Sequence, residues 1–159
     1  HPAIGQESED EAINKVYTVF IYNFTKYIQW PDEYVKGNFI IGVLGHSKLN
    51  TELQKLADSK TVNGRKILVK KYKTVAEIDK ICHILYIPNE SSNFLNAALQ
   101  RTTGKPTLII TNKDGSGKFG SLINFVSDKG KPRFEMNVSA FEQHRLKFAQ
   151  QLKTVAIVI

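Results

Sequence analysis

The sequence has one cysteine, Cys82, among 159 residues. One thiol cannot close a disulfide within the chain, nor build a cysteine-based zinc cage. Its neighbours, Ile81-Cys82-His83-Ile84-Leu85, predict a buried strand, so the thiol reads as structural rather than reactive. Long apolar runs are also lacking. The longest, Phe39 to Leu44, includes Gly42 and falls far short of the roughly 20 residues that span a bilayer. Methionine occurs once, at Met136, and the chain begins at His1, so a removed leader or a trimmed start is expected. Histidine is sparse. His1, His46, His83 and His144 include no pair at metal-ligand spacing, so no metal site and no cofactor are expected. No G-x-S-x-G nucleophile elbow occurs, and the acidic residues cluster in the N-terminal lead-in and otherwise occur mostly singly, apart from the turn at Asp32-Glu33, so no carboxylate pair points to glycoside chemistry.

What is present is an ordinary globular composition. Hydrophobic residues make up 42% and charged residues 23%, which excludes global disorder, and the length suits one domain. The net charge of +7 permits an anionic partner. The lysines are nonetheless scattered. The densest basic group, Arg65, Lys66, Lys70, Lys71 and Lys73, lacks the interleaved aromatics of a base-stacking surface, so no nucleic-acid partner is expected.

Residues 1–10 are polar and acidic and read as a flexible lead-in, leaving residues 11–159 as a single domain. From Glu11, the positions Ile13, Val16, Tyr17, Phe20, Ile21, Phe24 and Ile28 recur at three- and four-residue steps and predict a long amphipathic helix. The helix must end before Trp30-Pro31, since proline disfavours helical geometry in the residue before it. Strands are predicted at Asn38–Leu44, Lys66–Lys70, Cys82–Ile87, Thr107–Thr111, Leu122–Val126 and Arg133–Val138. Asn63-Gly64 marks a turn, and Ser127–Pro132 a hairpin connection with Gly130 in its turn. Helices are predicted after Ser47, carrying Leu49, Leu53 and Leu56, and after Ser91 or Ser92, carrying Phe94, Leu95, Ala98 and Leu99. A last helix is placed near Ser139, with Phe141, Phe148, Ala149 and Leu152 inward, and the apolar tail Val155–Ile159 packs on the body. Alternating strands and helices give the fold class: an α/β single-domain sandwich, its mostly parallel sheet covered by helices, with a C-terminal β-hairpin and helix.

Gly115-Ser116-Gly117-Lys118-Phe119-Gly120 matches G-x-G-x-x-G in letters only. A dinucleotide fingerprint needs a strand before it and a helix after it, and here a strand follows, so the segment reads as a long, mobile loop. Topology offers a better candidate. In open α/β sheets, ligands sit beyond the carboxyl ends of the strands. Those ends are Gly45-His46-Ser47, Asn89-Glu90-Ser91-Ser92 and Thr111-Asn112-Lys113. Two lead into helix N-termini, whose free amides favour anions. Gly45, His46, Ser47, Ser91, Thr111, Asn112, Lys113 and Lys118 are therefore the candidate contacts for a ligand or partner, although the serines also suit plain helix capping.

Several segments together resemble one family. They are Phe20-Ile21-Tyr22-Asn23-Phe24-Thr25-Lys26-Tyr27-Ile28-Gln29-Trp30-Pro31, then Phe39–Gly45, Val62-Asn63-Gly64-Arg65, Cys82–Ile87, and Leu122-Ile123-Asn124-Phe125 with Arg133-Phe134-Glu135-Met136-Asn137. In this order they are similar to the YfiR-like family of exported bacterial regulators. Within them Tyr22, Asn23, Trp30, Pro31, Gly64, Arg65, Asn124, Phe134 and Asn137 also suit structural roles in stripe, strand or turn.

The resemblance implies a periplasmic, non-catalytic regulator, often a homodimer. Its best-known members restrain a membrane-bound diguanylate cyclase through its periplasmic part, which limits cyclic-di-GMP and biofilm. The implied partner is a membrane signalling protein. Redox-responsive members carry paired cysteines, a switch that Cys82 alone cannot provide within a monomer. Two rival readings are a sensor of a small anionic ligand and an enzyme at the strand-end rim with His46 as general base.

Overall fold

The computed structural model describes residues 2–159, with side chains described from Asp10 onward. His1 lies outside the described residues, and the expected lead-in falls mostly where only the backbone is described. Helix α1 spans Pro2–Tyr27, ahead of the start at Glu11 that the periodicity predicts. It ends before Trp30-Pro31 and gives way to a short strand β1, Ile28–Gln29.

Then follow β2 (Phe39–Leu44), α2 (Leu49–Ser59), β3 (Thr61–Val62), β4 (Arg65–Tyr72), β5 (Ile84–Ile87), α3 (Leu95–Thr102) and β6 (Leu108–Thr111). The chain closes with β7 (Ile123–Asp128), β8 (Lys131–Met136), α4 (Val138–Gln143), β9 (Lys147–Phe148), α5 (Gln150–Val155) and β10 (Ile157–Val158).

The main sheet has the order β10-β8-β7-β6-β5-β2-β4-β3. It is parallel from β7 through β4 and antiparallel at the two hairpins, β3-β4 and β7-β8. The central strands β2, β5 and β6 are buried at every position, as parallel strands covered on both faces must be. Both hairpins turn through two left-handed residues, Asn63-Gly64 and Lys129-Gly130. That matches the twist of the flanking strands. The second connection is therefore tighter than Ser127–Pro132, because the strands pair up to Asp128 and Lys131.

Helix α1 lies on the sheet face made by β7 and β8. Tyr17 stacks on Phe125 at 4.2 Å between ring centres, and Phe24 meets Phe134 edge-on at 5.0 Å. Helix α2 packs against α1 and β4. The ends of two predicted stripes are not covered: Ile13 and Phe94 are exposed.

The largest departure from the sequence pattern is at the C-terminus. The predicted last helix is two short helices, α4 and α5, separated by β9, which pairs antiparallel with β1. Arg145 adopts a left-handed conformation, φ +56°. Leu146 N–H bonds Phe141 O, and Arg145 N–H bonds Glu142 O. This is a Schellman ending, with buried Leu146 as its apolar contact. The position usually holds glycine, so arginine gave no signal. Beyond α5 the apolar tail adds β10 to the sheet, parallel to β8.

The segment 112–121 is also more built than its glycines suggest. It winds through successive turns, Ser116 N–H to Lys113 O, Lys118 N–H to Gly115 O and Ser121 N–H to Ser116 O, with Ser116 and Gly117 buried.

Candidate functional site

The carboxyl ends of β2, β5 and β6 open into a cleft of about 570 Å³ beneath α1. Asp10, Ile13, Asn14 and Tyr17 of α1 form one wall. His46, Ser47, Lys48, Tyr86, Pro88, Glu90 and Asn112 complete it. This is the position that strand-end topology predicts.

Of the candidate contacts, His46, Ser47 and Asn112 line the cleft, and His46 is exposed. Gly45 takes φ +89°, and a Cβ there would collide with the Ser91 hydroxyl. Gly45 and buried Ser91 thus lock the ends of β2 and β5 together. Ser47 serves α2: its hydroxyl accepts from Leu49 N–H at 3.1 Å, and its carbonyl from Asn50 N–H at 3.1 Å. Thr111 turns into the interior, where its hydroxyl donates to Asn124 Oδ1 at 2.8 Å and stands 2.9 Å from Ser121 Oγ. Lys113 and Lys118 are exposed and lie outside the lining. The fingerprint-like loop therefore contributes nothing to the cleft.

Sequence reasoning missed Asn14, Tyr17, Tyr86 and Glu90. Tyr17 and Tyr86 sit in stripes that read as core, and most of each ring is core. Tyr86 is 2% exposed and its ring lies tilted against Phe125, 6.2 Å between ring centres. Asn112 Oδ1 is buried with no partner. Such an orphan acceptor normally costs about 1–3 kcal/mol, so something else must satisfy it or its place in the fold must demand it. The charges of the lining are Asp10 and Glu90 against Lys48, with Lys48 3.9 Å from Asp10. The lining thus carries one more acidic than basic side chain, although the whole chain is basic.

A second polar cluster has the opposite character. Trp30 Nε1 donates to His83 O at 3.2 Å, and its ring meets Phe39 edge-on. His83 Nδ1 accepts from Ile40 N–H at 3.0 Å, so the proton sits on Nε2, which donates to Tyr34 O at 2.8 Å. Arg65 Nη2, 3.1 Å from Nε2, therefore packs against the ring without a hydrogen bond. Burial pulls the His83 pKa down to about 4; the bond to Tyr34 opposes this, and the Arg65 charge adds to it. Arg65 Nε donates to Gly37 O at 2.8 Å. Its Nη2 faces the carbonyls of Tyr34, Lys36 and Asn38. The guanidinium lies over the Phe39 ring.

The remaining motif residues likewise engage the chain's own backbone and core. Tyr22 OH donates to Thr61 O at 3.0 Å. Pro31 precedes a 3₁₀ turn, and its carbonyl accepts from Tyr34 N–H. Gly64 completes the first hairpin turn. Asn124 Nδ2 donates to Glu135 Oε1 at 3.0 Å, and Phe134 is core. Asn137 caps α4 by accepting from Ala140 N–H, and its Nδ2 donates to Gly117 O at 2.8 Å. Asn23 lines a separate apolar groove of about 440 Å³ between α1, β8 and α5.

Other reactive groups are similarly occupied or shielded. Burial pushes the Cys82 thiol up to about 12. Among the described residues, no group of three or more His, Cys, Asp or Glu could hold a metal ion. Of the basic group, Arg65 is committed to the backbone and Lys70 bonds Asp79 at 2.7 Å, leaving no continuous stripe.

The fold and these clusters define a single α/β domain whose buried polar groups chiefly hold its own backbone, with an open polar cleft at the strand ends. The family model described as YfiR/HmsC-like matches residues 14–156, nearly the whole chain, and the chain belongs to that family. The family is one of regulators known from the periplasm, acting in cyclic-di-GMP signalling. Comparison with curated proteins gave no match. Among the described residues, no helix is long and apolar enough to cross a membrane.

Proposed function

We propose that this protein is an exported, non-catalytic regulator of the periplasm that binds the periplasmic part of a membrane signalling protein, a diguanylate cyclase or a kinase, and restrains it. The family match over residues 14–156 carries this reading. The geometry agrees with a binding role. His83 and Arg65 are spent on backbone carbonyls and amides, and Cys82 is buried and protonated. His46 is exposed, with no described side chain positioned to orient it as a base.

The test is genetic and biochemical. Deleting the gene in its source should raise intracellular cyclic-di-GMP, and restoring it should lower the level again. The purified chain should retain a membrane cyclase or kinase from solubilised envelope. Unchanged cyclic-di-GMP together with no retained signalling protein would sink the reading. Sedimentation of the free chain checks for a homodimer.

A second reading is a small-ligand sensor. The open strand-end cleft, lined by Tyr86, Glu90 and Asn112, favours it. The ligand would then bias the same regulatory contact, by binding one conformation better than another.

A further inference from the structure

We propose that the outer edge of β4 is a docking surface for an acidic, extended segment of a partner protein, which adds to the sheet as a further strand. This goes beyond the regulator reading and does not depend on which signalling protein that reading assigns.

The edge is long and open. β4 runs from Arg65 to Tyr72 and pairs with β2 along Ile67–Tyr72. On its outer side, β3 covers only Arg65 and Lys66. Tyr72 O accepts from Gly45 N–H, so Tyr72 faces β2. Successive residues of a strand face opposite ways, so Lys70 and Leu68 also face β2. Val69 and Lys71 therefore turn their N–H and C=O groups outward, past the end of β3. Among the described residues, no strand pairs with them there. The far edge of the sheet, β10, offers only two residues. An open edge of this kind is the template on which an extended peptide adds as a strand.

Side chains along the edge name the occupant. Leu68 and Val69 are apolar but only half-buried, one on each face of the strand, and an added strand would cover both. The exposed cations Lys66, Lys71 and Lys73 flank them, with no ion-pair partner among the described residues. Nearby carboxylates are engaged elsewhere. Asp79 takes Lys70 and the Tyr72 hydroxyl, and Glu77 folds back on Thr74. Lysines on an edge strand repel a second copy of the same edge. The same lysines favour a strand that sets carboxylates beside them. Charge thus excludes self-pairing and selects an acidic segment.

Amide exchange followed by nuclear magnetic resonance on the full chain tests this. The probes are a capped heptapeptide alternating glutamate and threonine, and a second with lysine in place of glutamate. The glutamate peptide should slow exchange at Val69 and Lys71. Leu68 and Lys70, whose amides already face β2, should keep their rates. The lysine peptide should leave all four unchanged. Lys71→Glu combined with Lys73→Glu should weaken the glutamate peptide about fivefold or more. Both side chains are exposed, so the unfolding midpoint should stay near its original value. Val69→Pro removes an outward N–H and should abolish the alternating pattern. The charge-reversed variant keeps the test valid if Val69→Pro fails to fold.

Glutamate-peptide binding without alternation along β4 would reduce it to loose charge attraction and overturn the proposal. Binding indifferent to the charge reversal would overturn it as well. Pairing of two copies through β4, seen by sedimentation and by the same exchange pattern in the free chain, would replace the acidic partner with self-association. If the glutamate peptide does not bind, the proposal falls, and the regulator reading still stands or falls by its own genetic test.

Discussion

The Trp30–Arg65–His83 cluster and the strand-end cleft are both rich in polar groups, yet they are finished differently. In the cluster, the imidazole, indole and guanidinium find partners, mostly backbone atoms of residues 34–40 and 83. At the cleft, Tyr86 has no hydrogen-bond partner for its hydroxyl among the described residues, Glu90 is exposed, and Asn112 Oδ1 is buried without a partner. A satisfied buried network fixes one conformation, whereas an unsatisfied rim leaves free energy to be gained by binding. Polar residues alone therefore do not mark a site; unmet hydrogen-bonding capacity does.

The largest break in this contrast comes from the cluster. Trp30→Ala removes a 7%-exposed indole and its bond to His83 O, and should cost about 3–5 kcal/mol in urea unfolding. Acid should act on the same cluster. The His83 pKa is about 4 in the folded chain against an ordinary 6.5, so the unfolded chain takes up the proton first. Stability present above pH 6.5 is then lost as the pH falls toward 4, by on the order of 3 kcal/mol. Burial also lowers His144, which works in the same direction. Unfolding of a His83→Asn variant should show a flatter dependence across that window. A smaller loss, about 1–2 kcal/mol, is expected for Arg65→Lys, since an ammonium cannot span the carbonyls that the planar fork reaches. Smallest of all, Asn112→Leu should leave stability within about 1 kcal/mol of the original or raise it, because it deletes an orphan acceptor. A large loss there would show that Asn112 belongs with the structural cluster instead.

These differences also explain what could be read from sequence. Phe39–Leu44 announces itself as a buried strand, and Asn63-Gly64 as a turn, because composition alone dictates both. The strand-end position of the cleft follows from topology, and His46, Ser47 and Asn112 were legible through it. Tyr17 and Tyr86 were not, because a tyrosine can bury its ring in a stripe while its hydroxyl opens elsewhere. The meeting of the two carboxylates in the lining was hidden as well. Asp10 and Glu90 lie far apart in sequence, and only the packing of α1 over the strand ends unites them. The break between α4 and α5 was illegible because its left-handed residue is Arg145.

The guanidinium of Arg65 has a consequence for local opening. Residues 31–38 have few backbone bonds of their own, chiefly Tyr34 N–H to Pro31 O and Val35 N–H to Asp32 O. They are fastened instead by side chains from elsewhere: Arg65 of β4, which cannot close until β4 has paired with β2, His83 at Tyr34 O, and Arg145 at Glu33. This segment should therefore form an opening unit of its own, among the first to exchange its amides and the first to be nicked by protease. A few side chains from elsewhere in the chain, Arg65 foremost, decide whether residues 31–38 belong to the folded domain or to the solvent.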